Sequence, residues 1–113
     1  AVLSYGDLKR VELALALAGA PRLLLMDEPT AGMAPQERQA LMSLTARLAR
    51  ERRLAVLFTE HDMDIVFGHA DRVLVLDHGR IVEQGSHHEL LTRKGHYFNL
   101  YNAQFAGAAT ELG

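Results

Sequence analysis

The chain has 113 residues, of which 49% are hydrophobic and 23% are charged, so it is long enough for one domain with one packed core. Its net charge of -2 gives no electrostatic reason to bind nucleic acid or an anionic membrane, and we expect no nucleic-acid partner. The absence of cysteine excludes disulfides and thiolate metal sites. The apolar stretches stop well before the ~20 residues that span a bilayer, so we also expect no transmembrane segment.

The first predicted element is a helix from about Ser4 to Ala18. Ser4 is followed three positions later by Asp7, which is typical of a capped helix start. Gly19 and Pro21 end the pattern. Between these ends, apolar residues recur at helical spacing: Leu8, Val11, Leu15 and Ala18.

Two short apolar runs predict strands on either side of a second helix. Leu23 to Met26 forms the first strand and leads into Asp27-Glu28-Pro29, and Leu54 to Thr59 forms the second strand. Both runs are typical of strands that are buried on both faces of a sheet. Pro35 opens the helix between them, which ends in the charged run Arg50 to Arg53. Strand, helix and strand in this order predict a βαβ unit with parallel strands, and therefore an α/β fold.

A short helix and a hairpin are predicted next. Residues 63–70 place apolar side chains on one helical face, and residues 72–76 and 80–83 flank Asp77-His78-Gly79 as a β-hairpin. His78 and Gly79 both tolerate the positive φ that such a turn requires.

The C-terminal region is predicted to be helical. Ser86 and Glu89 form a capping-box pattern, and a further helical segment runs from Tyr97 to Phe105. The adjacent pair His87-His88 suggests a metal site, but neighbouring residues on a helix diverge by about 100°, so a solvated helix start is the better interpretation. We expect residues 106–113 to form a loose tail.

Three motifs occur in register along the chain: Leu-Ser-Tyr-Gly-Asp at 3–7, Leu-Leu-Leu-Met-Asp-Glu-Pro-Thr at 23–30 and Thr-Glu-His-Asp at 59–62. Together they resemble the nucleotide-binding domain of ABC transporters. Up to about Val82 the likeness is greatest to ATP-binding subunits of branched-chain amino-acid uptake systems, whereas the later residues resemble the tail of an ABC exporter. The resemblance implies that residues 1–105 are the C-terminal portion of an ABC ATPase domain, with a truncated P-loop NTPase-type parallel sheet, flanking helices and a C-terminal hairpin.

Asp27 and Glu28 are adjacent carboxylates at a strand end, where an ionised pair needs a cation, hydrogen bonds or water to offset desolvation and repulsion. Taken alone, the pair is more typical of a capped strand end. The resemblance implies that Asp27 holds Mg²⁺ and that Glu28 polarises the water that attacks the γ-phosphate of ATP. His61 follows the second strand and so emerges at the same sheet edge. A lone histidine there is usually a surface residue, but the resemblance implies the switch histidine that contacts the γ-phosphate.

Ser4, Tyr5, Gly6 and Asp7 lie at a predicted helix N-terminus, where unpaired amides and the helix dipole favour an anion. An ordinary helix cap is the simpler interpretation. The resemblance implies a signature loop that closes over the γ-phosphate of ATP bound to a second ATPase subunit. Tyr5 takes the place of the usual first glycine, as the uptake subfamily allows. Asp7 takes the place of the usual glutamine and puts a negative charge near the phosphate.

The phosphate-binding pattern Gly-x-x-x-x-Gly-Lys-[Ser/Thr] occurs nowhere in this sequence. Because the chain starts almost at the signature motif, we expect it to be a piece of a longer protein. Alone it should be inactive and should bind ATP and Mg²⁺ weakly or not at all. In the parent, the resemblance implies a cytoplasmic ATPase at the inner face of the cell membrane, partnered by a membrane permease subunit and a second ATPase subunit.

The missing pattern leaves a second hypothesis open, namely a non-catalytic, self-associating or partner-binding module derived from an ABC ATPase. In the resembling family another strand pairs beside residues 54–59, so we expect this chain to expose a sheet edge and apolar faces. Such surfaces favour a homo-oligomer. A dinucleotide-dependent oxidoreductase is disfavoured, because Gly-x-Gly-x-x-Gly after a strand is absent.

Overall fold

The computed structural model describes the backbone of residues 3–112 and the side chains of residues 3–105. The chain forms two compact units, Ala1–His61 and Asp62–Gly113. The first unit contains α1 (Tyr5–Ala18), β1 (Leu23–Asp27), α2 (Pro35–Arg52) and β2 (Ala55–Thr59). The second unit contains α3 (Met63–His69), β3 (Val73–Asp77), β4 (Arg80–Gly85), α4 (His87–Arg93) and α5 (His96–Leu112).

Helix α1 begins and ends where the sequence predicts. The Ser4 side chain accepts a hydrogen bond from the backbone N–H of Asp7 at 3.1 Å, which satisfies one of the unpaired amides of the first turn. The helix buries Leu13 and Leu17, whereas Leu15 is 71% exposed. Its apolar surface therefore extends beyond the side that faces the core.

Strands β1 and β2 pair in parallel, in a register that runs from Leu23 opposite Ala55 to Asp27 opposite Thr59. Helix α2 connects them and has Pro35 in its first turn, where the missing N–H of proline costs no intrahelical bond. The predicted βαβ unit and α/β fold are confirmed. Because the two strands end side by side, the polar residues that follow them meet at one edge of the sheet.

One face of the β1–β2 pair is covered and the other is exposed. Leu24 is buried in a core to which α1, α2 and the loops next to the strands contribute Leu13, Leu17, Met33, Leu41 and Leu54. Leu23, Leu25 and Leu57 point to the opposite face and are 53%, 67% and 54% exposed. The prediction that both strands are buried on both faces is therefore wrong for this chain, because α1 and α2 pack on the Leu24 face. The expectation of an exposed apolar face is confirmed.

In the second unit, β3 and β4 form the predicted antiparallel hairpin. His78 and Gly79 make the turn with positive φ angles of 49° and 78°, as a tight two-residue turn requires. Leu90 of α4 and Tyr97 of α5 are 0% and 1% exposed. Together with Met63 and Val66 of α3 they form a core, against which β3 packs through Val73 and Val75.

His87 is part-buried in an aromatic cluster, so the prediction of a solvated helix start is wrong for this residue. Its Nδ1 lies 2.7 Å from the hydroxyl oxygen of Tyr97. Its ring centroid is 5.3 Å from that of Phe67 and 5.5 Å from that of Tyr101. Burial, together with the neighbouring His88, lowers the pKa of His87 below its usual value. The adjacent His88 is exposed, as expected.

Helix α5 is longer than predicted, since it continues past Phe105 to Leu112. The sequence there is rich in alanine, which has the highest helix propensity. The side chains of residues 106–113 lie outside the described residues, so the looseness of this tail stays a prediction.

Changing Leu41 to Ala is expected to lower the free energy of unfolding by about 2–5 kcal/mol, because Leu41 is 1% exposed in the core of the first unit. Leu15→Ala is the matched control, since this leucine lies on the solvent side of α1, and its effect should stay within about 0.5 kcal/mol. Urea denaturation followed by circular dichroism measures both. Equal losses in the two variants would contradict the assignment of the core.

Candidate functional site

The carboxyl ends of β1 and β2 bring Asp27 and Thr59 together. The Thr59 hydroxyl donates a hydrogen bond to Oδ1 of Asp27 at 2.5 Å. A hydrogen bond to an ionised carboxylate is stronger than one between neutral groups and helps to fix the orientation of the side chain. Asp27 is nevertheless exposed, so its carboxylate lies at an open edge of the sheet.

Glu28 has a backbone conformation that is uncommon for a residue with a side chain, with φ at 42°. Its N–H lies within hydrogen-bonding distance of two atoms of Thr59, the hydroxyl oxygen at 3.0 Å and the carbonyl oxygen at 3.1 Å. The carbonyl of Glu28 accepts from the N–H of Ala31 at 3.1 Å. These bonds hold the turn by which the chain leaves β1.

His61 lies beside Glu28, as the sequence predicts. Its Nε2 is 3.8 Å from Oε1 of Glu28, and the two side chains are 81% and 49% exposed. A pair this exposed contributes little to stability. The arrangement instead leaves a carboxylate and an imidazole side by side at an edge that water and a phosphate group can reach.

Two further residues hold the His61 segment, and the sequence motifs alone assign no role to either. Oε1 of Glu60 accepts a hydrogen bond from the backbone N–H of His61 at 3.1 Å, and Oε2 accepts from the hydroxyl of Thr30 at 2.7 Å. Thr30 is only 2% exposed. The Glu60 carboxylate thereby connects the loop after β1 with the segment after β2. The sequence signal that could have indicated this contact is that both motifs after the parallel strands contain a hydroxyl residue and a carboxylate residue.

Residues 4–7 form a second group of predicted site residues, at the start of α1. This group lies against α2 and against the loop before α2, where a Cβ on Gly32 would be 3.5 Å from the Tyr5 ring. Gly6 is buried, and a Cβ at this position would lie 3.0 Å from Oε2 of Glu37, so glycine allows the helix start to approach α2 closely. Oδ1 of Asp7 lies 3.7 Å from Nη1 of Arg10. The predicted site residues are thus divided between the sheet edge and the N-terminus of α1.

The side chains at the sheet edge fit Mg²⁺ that is held only partly by protein. Asp27 and Glu28 offer carboxylate oxygens, which are the ligands that Mg²⁺ prefers. Among the residues that the structure describes, no group of three or more His, Cys, Asp or Glu could hold a metal ion. Mg²⁺ at nucleotide sites is bound by one or two carboxylates and takes its remaining ligands from water and phosphates. Two neighbouring carboxylates are therefore compatible with Mg²⁺ that keeps most of its water ligands.

Comparisons of the sequence and of the structure with known proteins both point to one family. The sequence model of the ABC transporter family matches residues 1–31. The energy-coupling factor transporter ATP-binding protein EcfA2 of Lactiplantibacillus plantarum is 47% identical over 88 residues, which cover 78% of this chain and 30% of the relative. The structure of a bacterial Atm1-family ABC exporter with ATP bound matches with a TM-score of 0.78 and 33% identity, covering 90% of this chain and 18% of the exporter chain. The chain belongs to the ABC transporter ATP-binding family.

Other members of this family include the high-affinity branched-chain amino acid transport ATP-binding protein LivG of Salmonella typhimurium, which is 38% identical over 88 residues. The match covers 78% of this chain and 34% of LivG, so the chain spans about a third of the length of the curated relatives. The family resemblance predicted from the three motifs is confirmed. Within residues 3–112, none of the helices has the length and apolar character needed to cross a membrane.

Proposed function

We propose that this chain supplies the metal-binding and water-activating residues of an ATPase that drives solute transport. The observation that supports this function is the convergence of Asp27, Glu28 and His61 at the carboxyl edge of β1 and β2, with Glu28 and His61 3.8 Å apart. Ligands in open α/β sheets bind outside this edge. Asp27 would hold Mg²⁺, mostly through the water shell of the ion. When bound with ATP, Mg²⁺ neutralises charge that develops on the phosphates.

Glu28 and His61 have separate roles in this proposal. The Glu28 carboxylate accepts a hydrogen bond from the attacking water, which orients it and makes its oxygen a better nucleophile. The imidazole of His61 contacts the γ-phosphate and keeps the water in line. Both side chains are well exposed to solvent, at 81% for His61 and 49% for Glu28, which leaves room for water between them and a phosphate.

In this proposal, residues 4–7 contact the γ-phosphate of ATP that is held by a second ATPase subunit. The Ser4 hydroxyl and the first amides of α1 are donors at the positive end of the helix dipole, where a phosphate is favoured. Asp7 adds a negative charge at this position, and Arg10, at 3.7 Å, offsets part of that charge. The complete protein would bind a membrane permease subunit and lie in the cytoplasm at the inner face of the membrane.

The isolated chain is expected to release no phosphate from ATP above the uncatalysed background and to bind ATP weakly or not at all. The physical reason is that its site residues can position metal and water only around phosphates that another element holds. Phosphate release and calorimetric binding, both with Mg²⁺, measure the two quantities, and the complete protein is the positive control. Robust turnover by the isolated chain that disappears in Glu28→Gln would contradict this proposal and imply a different phosphate cradle.

A second candidate function is self-association without catalysis. The observation that favours it is the exposed face of β1 and β2, where Leu23, Leu25 and Leu57 lie next to one another with more than half of each side chain in contact with water. Exposed apolar surface of this kind is typical of interaction sites. The proposed occupant is a second copy of the same chain.

A further inference from the structure

We propose that Thr59 is a positioning residue that holds Asp27 and Glu28 in place for Mg²⁺ and water. This inference rests on the proposed function, because it concerns a side chain that acts through those two carboxylates. The Thr59 hydroxyl makes two hydrogen bonds at once. It donates to Oδ1 of Asp27 at 2.5 Å and accepts from the N–H of Glu28 at 3.0 Å. A single oxygen atom on β2 therefore restrains both residues at the end of β1.

The bond to Asp27 determines which carboxylate oxygen faces the neighbouring strand. Thr59 is opposite Asp27 in the parallel register, so its hydroxyl lies next to Oδ1 of Asp27 on the neighbouring strand. Oδ2 is then the oxygen left for a cation or for the water bound to it. Hydrogen-bond partners of metal-binding carboxylates orient the ligand, and their loss typically lowers metal affinity about 10–100-fold.

The bond to Glu28 restrains a backbone conformation that residues other than glycine rarely adopt. With φ at 42°, Glu28 lies in the left-handed region, and such conformations persist only where the surroundings hold them. The N–H of Glu28 is shared between the hydroxyl and the carbonyl oxygen of Thr59, at 3.0 Å and 3.1 Å. Without the hydroxyl, the N–H of Glu28 keeps only its hydrogen bond to the carbonyl oxygen of Thr59. The Glu28 side chain would then project from a less restrained backbone, and its distance to the attacking water would vary more.

Valine is the informative replacement because it keeps the branched shape and the strand propensity of threonine and removes only the hydroxyl. Thr59 is exposed, so its hydroxyl is not needed to satisfy a buried group. Thr92 offers a matched control, since it is also exposed and its hydroxyl donates to the carbonyl of His88 at 2.8 Å, within the second unit. Thr92→Val removes the same chemical group from a hydroxyl whose hydrogen bond lies within α4.

The test measures the affinity of the complete ATP-binding protein for Mn²⁺, in place of Mg²⁺, with a saturating non-hydrolysable ATP analogue. Electron paramagnetic resonance of the free ion gives the affinity once the Mn²⁺ held by the analogue alone has been measured in a protein-free titration. Thr59→Val is expected to weaken Mn²⁺ binding about 10–100-fold. Thr59→Ala should show a similar loss. Thr59→Ser, which keeps a hydroxyl, should bind Mn²⁺ with nearly wild-type affinity. Thr92→Val should bind Mn²⁺ like the wild type, and circular dichroism should show that all variants fold.

Wild-type affinity in Thr59→Val, or an equal loss in Thr59→Ser, would overturn the inference. An equal loss in Thr92→Val would overturn it as well, because the effect would then follow from removing any threonine hydroxyl. Asp27→Asn separates this inference from the proposed function. If Asp27→Asn loses Mn²⁺ binding and Thr59→Val keeps it, the proposed role of Thr59 is wrong and the proposed metal site stands. If neither variant loses Mn²⁺ binding, the metal site itself is wrong.

Discussion

Changing Glu28 to Gln in the complete protein is expected to lower kcat for ATP hydrolysis about 100- to 10,000-fold, the range that a positioned general base contributes. The amide keeps the size of the side chain but cannot act toward the attacking water as the carboxylate does. ATP binding should persist, because phosphates are held by other groups. Steady-state phosphate release and equilibrium ATP binding measure the two effects separately, and ATP-bound dimers should accumulate.

Glu51→Gln is the matched control for this prediction. Glu51 is an exposed glutamate in the last turns of α2, with Oε1 3.9 Å from Nε of Arg47, and its carboxylate takes no part in the proposed site. We expect kcat to be unchanged in this variant, because an exposed ion pair contributes little. Hydrolysis at the wild-type rate in Glu28→Gln would show that the catalytic carboxylate has been assigned to the wrong residue.

The position of the candidate site could be predicted from the sequence because the polar residues that follow two parallel strands lie at one edge of the sheet. Two apolar runs that end in polar residues, separated by one helix, must place those residues at a common edge, and Asp27, Glu28 and His61 meet there. The caps at Ser4 and Ser86 were predictable for a similar reason, since each bonds to an amide only three residues away. Features that depend on neighbours in sequence or on strand order are therefore predictable from the amino-acid sequence alone.

Features that depend on which surfaces meet could not be predicted in this way. A run such as Leu23 to Met26 looks the same whether one or both of its faces are covered, and the exposure of Leu25 follows from where α1 and α2 pack. The burial of His87 depends on aromatic residues from α3 and α5, which no local pattern connects to it. The two bonds of the Thr59 hydroxyl depend on strand register to within one residue, which we did not predict from the local pattern of either strand.

The isolated chain is expected to form a homo-oligomer in the absence of nucleotide, through the exposed face of β1 and β2. Leu25 and Leu57 are opposite each other in the register and are 67% and 54% exposed. Covering this face removes apolar surface from water at about 25 cal/mol per Å². The two-stranded sheet also has open edges whose N–H and C=O groups can pair with a second copy. Light scattering coupled to size-exclusion chromatography should give a mass of at least twice 12.5 kDa.

A charge placed on this face tests whether it is the contact surface. Leu25→Lys should shift the chain toward monomer over a dilution series, because a buried ammonium without a partner opposes association. Leu15→Lys is the matched control, since this leucine is similarly exposed, at 71%, but lies on α1. If Leu15→Lys dissociates the oligomer and Leu25→Lys does not, α1 is the contact surface. A folded wild-type monomer at every concentration would contradict self-association altogether, because the exposed apolar face would then be tolerated in water.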